Sequence, residues 1–208
     1  MTPTPPAALT GTYRIDPSRT RLSFVVRQAM IAKVRGAFDR FSGLADLDFA
    51  DPARSRVEVT VEVASLTTGN ARRDAHLRTS FFHAAEHPRI DFRSTAVDAL
   101  TDDRYLVTGE LTIKGRTRPV SIEVTRTGMA LDPDGTSRVE VHGRGTLDRR
   151  DWGVVWNVAA EGGGAFVGNT IVVELEVDAV KAGPGVGGTG FSPGQGAGGR
   201  EDGSRTTV

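Results

Sequence analysis

The sequence GNARRDAHLRTSFFHAAEHPRIDFRST, residues 69–95, contains the only helix that we predict in this chain. Asn70 is a suitable N-cap, because its side-chain oxygen can accept a hydrogen bond from a backbone N–H one turn later. Leu77 and Phe81 are spaced i, i+4 and share one face, whereas Asp74 is expected to point towards solvent. The proline that follows ends the helix. The stretch therefore predicts a short amphipathic helix with an aromatic end, which we interpret as part of the lid of a barrel.

On both sides of this helix the sequence alternates as strands do. The pattern is clearest at residues 56–63, where four valines alternate with polar side chains, as in a half-buried strand. Gly36 and Gly43 lie inside one long segment, where a strand would bend or approach another backbone closely. We predict an all-β fold, an antiparallel barrel of about eight strands with one short inserted helix, because closure removes exposed edges. The alternating segments are 12–15, 22–27, 33–49, 56–63, 89–97, 104–114, 117–127, 137–147 and 170–180.

Composition limits the kinds of partner that this protein can have. With 208 residues, 38% of them hydrophobic, the chain can bury one substantial core. Lys and Arg together number 26, as do Asp and Glu, so no net field favours nucleic acid or an anionic membrane. The absence of cysteine excludes disulfides and cysteine-based metal sites. No signal-peptide pattern is present and no segment reaches the roughly 18 apolar residues of a membrane span, so we expect a cytoplasmic protein.

Changes in composition along the chain predict its domain organisation. Residues 1–10 are rich in Pro and Thr and are expected to form a disordered arm. Residues 11–181 form the barrel domain, and the glycine-rich residues 182–208 are expected to be a disordered tail. That tail contains a G-x-G-x-x-G match at 183–188 and a G-x-S-x-G match at 190–194. Neither predicts a site, because no helix follows either match.

The histidines offer weak candidates for metal binding or catalysis. His83 and His87 have the i, i+4 spacing of two zinc ligands on a helix, but the proline after His87 disfavours a helix there. We therefore predict no metal site and no cofactor. His76 is interpreted as a structural histidine that is hydrogen-bonded where the helix joins the barrel, in preference to a general base.

A cluster at residues 149–153, with sequence RRDWG, has two interpretations of about equal weight. In the first, it is a surface turn with a local ion pair and a tryptophan against the barrel rim. In the second, Arg149 and Arg150 meet a polar or anionic ligand head while Trp152 and Trp156 line the mouth. Eight strands enclose an interior that side chains just fill or that holds one ligand. Periodicity alone leaves both states of the interior open.

Several segments together resemble the YceI-like family, in one order over roughly residues 11–181. The segments that carry the resemblance are Ile15-Asp16-Pro17 with Ser23-Phe24, residues 36–43 (GAFDRFSG), 65–68 (SLTT), 73–78 (RDAHLR), Phe81-Phe82, 88–95 (PRIDFRST), 109–115 (GELTIKG) and 150–153 (RDWG). The sequence departs from the family at residue 27, which is often His and is Arg here. It also lacks the secretory signal that many members carry.

The resemblance implies a fold and a function. The fold is an extended antiparallel barrel similar to the lipocalins. Family members are described as binding polyisoprenoids, quinones or other long-chain amphiphiles inside the barrel, without a catalytic apparatus and often as dimers. We therefore expect a protein that binds a long-chain isoprenoid or similar lipid as a carrier, store or sequestering protein. A homodimer is also expected.

The expected site combines an apolar interior, a mouth and a polar rim. The lipid tail is expected to contact Phe24, Val26, Phe38, Phe92, Leu111 and Ile113. Phe81, Phe82, Trp152 and Trp156 are expected to close the mouth. Arg27, His76, Arg149 and Arg150 are expected to form the polar rim.

Two alternatives are kept. One is a filled barrel that binds no ligand and acts as an interaction module through its outer faces. The other is a hydrolase or isomerase of hydrophobic substrates that uses His76 or His142 with a nearby carboxylate.

Overall fold

The computed structural model describes residues 9–28, 32–131, 135–155 and 167–183. Trp156 and nearly all of the predicted N-terminal arm and C-terminal tail lie outside these residues. The strands of the described part are β1 (Gly11–Ile15), β2 (Arg21–Gln28), β3 (Ala32–Phe38), β4 (Phe41–Leu47), β5 (Arg56–Glu62), β6 (Leu66–Thr67), β7 (Arg89–Ala99), β8 (Arg104–Ile113), β9 (Arg116–Leu131), β10 (Ser137–Asp148) and β11 (Val167–Lys181). Helix α1 spans Ala71–His76, between β6 and β7.

The strands close into an eight-stranded antiparallel barrel. Around the ring the order is β1, β4, β5, β7, β8, β9, β10 and β11, and β11 pairs with β1 to complete it. At the end of the barrel near α1, β2, β3 and β6 extend the sheet from β11. Three long strands, each broken once, are therefore formed by β1 followed by β2, by β3 followed by β4, and by β5 followed by β6. The predicted all-β antiparallel barrel of about eight strands is confirmed.

The prediction of one long strand at residues 33–49 is wrong in one respect, because the structure breaks this segment into β3 and β4 at residues 39–40. The two glycines lie inside these strands and not at the break. A Cβ atom on Gly36 would come within 2.3 Å of Cζ of Phe24, and one on Gly43 within 2.9 Å of the Glu58 carbonyl oxygen. Both glycines therefore permit close packing, which is the second of the two roles that the sequence predicted.

An ion-pair cluster holds the break between β1 and β2. Asp16 caps the turn by accepting hydrogen bonds from the Ser18 N–H and hydroxyl, at 3.0 and 2.6 Å. The hydrogen bond from the Ser18 hydroxyl, with a contribution from Arg138, lowers the pKa of Asp16. Asp178 on β11 is only 4% exposed and accepts from Arg19 Nε at 2.8 Å and from Arg138. The cluster thus connects the turn to β10 and β11 by charge-assisted hydrogen bonds.

Helix α1 begins as the sequence predicts but ends differently. The Asn70 side chain accepts a hydrogen bond from the Arg73 N–H at 3.0 Å, so the predicted N-cap is confirmed. After His76 the chain continues as a π-helix, Leu77–Phe81. The expectation that Asp74 points towards solvent is wrong. Its side chain is buried and accepts from the Thr68 N–H at 2.9 Å and from the Thr68 hydroxyl, because α1 folds back onto the strand that precedes it.

The connection that contains α1 lies where the barrel sheet is split. β5 pairs with β7 over Glu58–Glu62, but β6 pairs with β3 and with no other described strand. Beyond β5 the two sides of the split are joined by a hydrogen bond from the Val63 N–H to the Pro88 carbonyl, at 2.9 Å. The placement of α1 at one end of the barrel agrees with the interpretation of this segment as a lid. No helix in the described part of the chain is long and apolar enough to cross a membrane.

Candidate functional site

The barrel encloses an apolar cavity with a volume of about 470 Å³. This volume lies within the range of roughly 300–1,000 Å³ that is typical of small-molecule sites. The interior is therefore not completely filled by side chains, which periodicity alone left undecided. The predicted contact residues that line it are Phe24, Val26, Phe38, Phe81, Phe82, Phe92, Leu111, Ile113 and Trp152. Trp156, the tenth, lies outside the described residues.

Further inward-facing residues complete the lining, and sequence reasoning did not select them. They are the valines of β5 and the inward-facing residues of β9, β10 and β11, which include Val57, Val59, Val61, Ile122, Val124, Val141, Ile171, Val173, Leu175 and Val177. Each belongs to an alternating set whose other members face outwards. The same period-two signal that selected Phe24 and Leu111 would have found these residues.

Aromatic side chains connect the barrel wall to the helical segment. The Phe38 ring lies 5.8 Å from that of Phe24 and 6.3 Å, edge to face, from that of Phe82. Trp152 is 2% exposed and its indole N–H donates to the Leu111 carbonyl at 2.9 Å. Trp152 also belongs to a buried cluster with Phe81. The helical segment is therefore packed onto the cavity wall through aromatic contacts, which stabilise such pairs beyond simple area burial.

Two of the four predicted rim residues lie on the cavity, near α1. His76 packs its ring edge to face on Phe81, with 5.5 Å between centroids, and its Nδ1 lies 3.2 Å from the Ser80 hydroxyl. Arg149 donates to the carbonyl oxygens of Val154 and Gly168 at 2.6 and 3.1 Å, and to the Asn169 side chain at 3.1 Å. Burial lowers the pKa of Arg149, but a guanidinium stays protonated in proteins.

The structure does not place Arg27 or Arg150 on the cavity. Arg27 is exposed and follows the inward-facing Val26, so strand alternation directs it away from the interior. Arg150 is exposed and pairs with Asp148, with 2.6 Å between Nη2 and Oδ2. Hydrogen bonds from Arg150 lower the pKa of Asp148 to about 2. For Arg150 the structure therefore agrees with the surface ion pair of the first interpretation.

A polar group at the opposite end of the cavity was missed by sequence reasoning. Arg126 on β9 and Tyr105 on β8 both line the cavity there. Arg126 donates to the Asp102 carbonyl at 2.9 Å and to the Tyr105 hydroxyl at 3.3 Å, and its guanidinium carbon lies 5.9 Å from the Phe49 ring centroid. The signal was present, because residues 120, 122, 124 and 126 have the same strand parity and Arg126 is the polar member of that set.

The described residues contain no group of three or more His, Asp or Glu side chains that could hold a metal ion. His83 lies beyond the π-helix with a φ of 50°, so His83 and His87 do not share one helical face. His142 is exposed on β10. Of the two histidines considered as a general base, His76 lines the cavity and His142 does not.

Comparison with known proteins identifies relatives of this fold. The family described as the YceI-like domain matches residues 13–179. A UPF0312 protein of Staphylococcus aureus is 31% identical over 168 residues, which cover 80% of this chain and 95% of that protein. A UPF0312 protein of Photorhabdus laumondii subsp. laumondii is 33% identical over 149 residues, covering 70% and 77%.

Solved structures show the same fold. Burkholderia cenocepacia BcnA superimposes with a TM-score of 0.68 at 24% identity, covering 79% of this chain and 98% of that one. The YCEI protein of Campylobacter jejuni gives 0.64 at 26% identity, covering 74% and 88%. A domain from Saccharophagus degradans, described as a polyisoprenoid binding domain implicated in plant cell wall breakdown, gives 0.59 at 17% identity, covering 82% and 98%. On the family match and the curated relatives, this chain belongs to the YceI-like family.

Proposed function

We propose that this protein binds a long-chain isoprenoid, or an amphiphilic lipid of similar shape, inside the barrel. The observation that carries the proposal is the cavity of about 470 Å³, whose lining is almost entirely aliphatic and aromatic. Burial of apolar surface contributes about 25 cal/mol per Å², so a chain that contacts this lining over its length can offset the cost of association. Phe24, Phe38 and Phe92 are proposed to contact the chain.

The aromatic segment at α1 is proposed to cover the chain after it enters. Leu77, Phe81 and Phe82 line the cavity from a connection that lies at the split between β6 and β7. Few strand hydrogen bonds hold this part of the wall, so it is the place where the barrel can open at least cost. His76 and Arg149 are the predicted rim residues that remain in the proposal.

The relatives support this proposal at the level of fold. The Saccharophagus degradans domain is described as binding polyisoprenoid, and at 17% identity its likeness to this chain concerns the fold. The carrier, storage or sequestering role, the quinone head group, the cytoplasmic location and the homodimer all stay predictions. The proposal is of a binding protein and not of an enzyme.

The filled-barrel alternative predicts an interior without a cavity, and the observed volume disfavours it. For the enzyme alternative, His76 lines the cavity and contacts Phe81 and Ser80, whereas the exposed His142 does not line the cavity. Loss of turnover in His76→Gln at unchanged stability would be the signature of that alternative.

The deciding experiment is native mass spectrometry of the purified protein, followed by organic extraction and identification of the extracted lipid. We expect a stoichiometric polyprenyl or quinone species, or uptake of added isoprenoid by the extracted protein. An apo mass together with no uptake of any added chain would contradict the proposal. Extraction and analysis of a second, unrelated protein from the same host controls for lipid carried over during purification.

A further inference from the structure

We propose that Arg126 holds the carboxylate of a long-chain acid at the end of the cavity away from α1. This inference rests on the proposed function and goes beyond it, because it names the chemical class of the head group and the end of the barrel that receives it. Three features distinguish Arg126: its position, the donors that its guanidinium still has available, and the contrast with Arg73 and Arg149.

Arg126 occupies an inward position on a strand whose other inward residues are aliphatic. Val120, Ile122 and Val124 precede it at the same parity, and all four residues line the cavity. Its backbone is fixed by β9, and its N–H donates to the Asp103 carbonyl at 2.7 Å. Arg126 therefore places a cation at one end of a largely apolar lining, in surroundings where charge interactions are stronger than in water. Asp48 also lines this end, and its carboxylate accepts hydrogen bonds from the Ala50 and Asp51 N–H groups, both at 3.0 Å.

Hydrogen bonds orient the guanidinium of Arg126 but do not use all of its N–H donors. It carries five N–H donors, of which Nη1 contacts the Tyr105 hydroxyl and Nη2 contacts the Asp102 carbonyl. The Tyr105 hydroxyl in turn donates to the same Asp102 carbonyl at 3.1 Å. Among the residues that the structure describes, no Asp or Glu carboxylate lies within 4.0 Å of this guanidinium. Donors remain for an acceptor on a ligand, while Tyr105 and Asp102 act as positioning residues.

The other two arginines that line the cavity, Arg73 and Arg149, are committed to the protein itself. Arg73 donates from Nε to the Thr68 hydroxyl at 2.7 Å and from Nη2 to the Thr68 carbonyl at 2.9 Å. Arg149 uses Nε, Nη1 and Nη2 to bind Gly168, Val154 and Asn169, so its guanidinium joins the two sides of the connection between β10 and β11. Arg126 therefore has the better geometry for a ligand. A planar guanidinium matches a carboxylate with two parallel hydrogen bonds.

The test compares farnesoic acid with farnesol, which share an isoprenoid chain and differ in the head group. Binding of each is measured by calorimetry to the wild-type protein and to Arg126→Met, Arg126→Lys and Arg144→Gln. We expect Arg126→Met to weaken binding of the acid about ten- to hundredfold and to leave binding of the alcohol unchanged. Arg126→Lys retains the charge and should keep most of the preference for the acid. Arg144 is exposed on β10, and Arg144→Gln should have no effect.

A second measurement needs no variant, in case Arg126→Met does not fold. In the wild-type protein, the alkene proton next to the carboxylate of bound farnesoic acid should show nuclear Overhauser effects to the Tyr105 ring. Effects to the rings of Trp152 or His76 would place the carboxylate at the α1 end and overturn the inference. Equal loss of acid and alcohol binding in Arg126→Met, or no loss of either, would also overturn it while leaving the proposed function standing. Failure of the wild-type protein to bind either probe would contradict both the inference and the proposed function.

Discussion

Single residues in this protein are specified by which side of the barrel wall they face. Phe24 and Val26 face the cavity, whereas Arg27, one position later, is exposed. On β9 the inward-facing positions hold three aliphatic residues and then Arg126. Because the side-chain period of a strand is two, each substitution acts either on the ligand space or on the outer surface. Predictions at this scale therefore compare an inward residue with an outward one.

Phe92→Asp is expected to abolish lipid uptake. Phe92 lines the cavity, and its ring packs on Gly109, where a Cβ atom would lie 2.6 Å from Phe92 Cζ. An ionised carboxylate at this position would be surrounded by apolar side chains, which is unfavourable for both the carboxylate and a bound chain. We expect binding of isoprenoid to weaken by more than about tenfold, measured by calorimetry on the folded variant.

The matched control for this change is Thr95→Asp, which adds the same carboxylate at an exposed position of β7. It should bind isoprenoid like the wild-type protein. A folded Phe92→Asp variant that retains stoichiometric binding would rule out contact between the chain and Phe92. Circular dichroism of both variants establishes that each is folded.

At the scale of elements, α1 and the break between β1 and β2 each depend on a buried carboxylate. Asp74 ties α1 to the end of β6 through Thr68, and Asp178 ties the β1–β2 turn to β10 and β11 through Arg19 and Arg138. Both carboxylates are at most 5% exposed. Removing one partner of such a contact leaves the remaining polar groups buried without their acceptor, which costs more than the contact itself contributes.

Asp74→Ala is expected to lower the free energy of unfolding by about 1–3 kcal/mol, because the N–H and hydroxyl of Thr68 lose their acceptor. It should also speed amide hydrogen exchange over residues 71–81, since α1 would be less firmly attached to the barrel. Arg72→Ala, at an exposed position of the same helix, is the control for helix propensity. Equal unfolding free energies and exchange rates in the two variants would show that Asp74 does not anchor the helix.

Asp178→Ala is expected to destabilise the protein by about 1–3 kcal/mol, the range for removing the acceptor of buried hydrogen-bond donors. The loss arises because Arg138, whose side chain is 15% exposed, loses the Asp178 carboxylate and retains Asp16 at 3.2 Å. Glu176→Ala removes an exposed carboxylate from the same face of β11 and should change stability by less than about 0.5 kcal/mol. Urea denaturation of both variants measures the difference. A similar midpoint for the two would contradict a structural role for the cluster.

At the scale of the whole molecule, the cavity couples ligand binding to stability. A ligand that binds only the folded state stabilises it by about 2.7 kcal/mol at a concentration one hundred times its Kd. Removal of bound lipid by organic extraction and refolding is therefore expected to lower the melting temperature, and addition of isoprenoid should restore it. Differential scanning calorimetry of extracted and refilled protein makes this measurement. The same addition to Phe92→Asp should produce no rise, and an equal rise in that variant would contradict binding inside the barrel.

Local sequence was sufficient for the features that depend on near neighbours. The N-cap at Asn70 needs only the backbone of the next turn. The alternating pattern correctly selected the inward face of β2 and β8, so Phe24 and Leu111 were predicted to face the interior. These features were predictable because every interaction that specifies them lies within a few residues along the chain.

Long-range packing decided the features that sequence reasoning missed. Asp74 has the spacing of a solvent-facing residue on an isolated helix, and it is buried because α1 folds back onto Thr68. Arg149 was predicted to meet a ligand head, but it binds Gly168 and Asn169, which lie 19 and 20 residues further along the chain. Local sequence patterns do not specify which residues these side chains contact.

The sequence by itself determined an all-β antiparallel barrel with one inserted helix, its family, and the alternation of inward and outward side chains along the strands. Hydrophobic periodicity carries that information because successive residues of a strand point to opposite faces of the sheet. Only the tertiary structure decided that the interior contains a cavity and that the strand predicted at residues 33–49 is broken. It alone brought Arg126 on β9 to Tyr105 on β8 at the end away from α1. The physical reason is that cavity volume and cross-strand contacts depend on how strands curve and close around one another. The sequence of a single strand does not specify this arrangement.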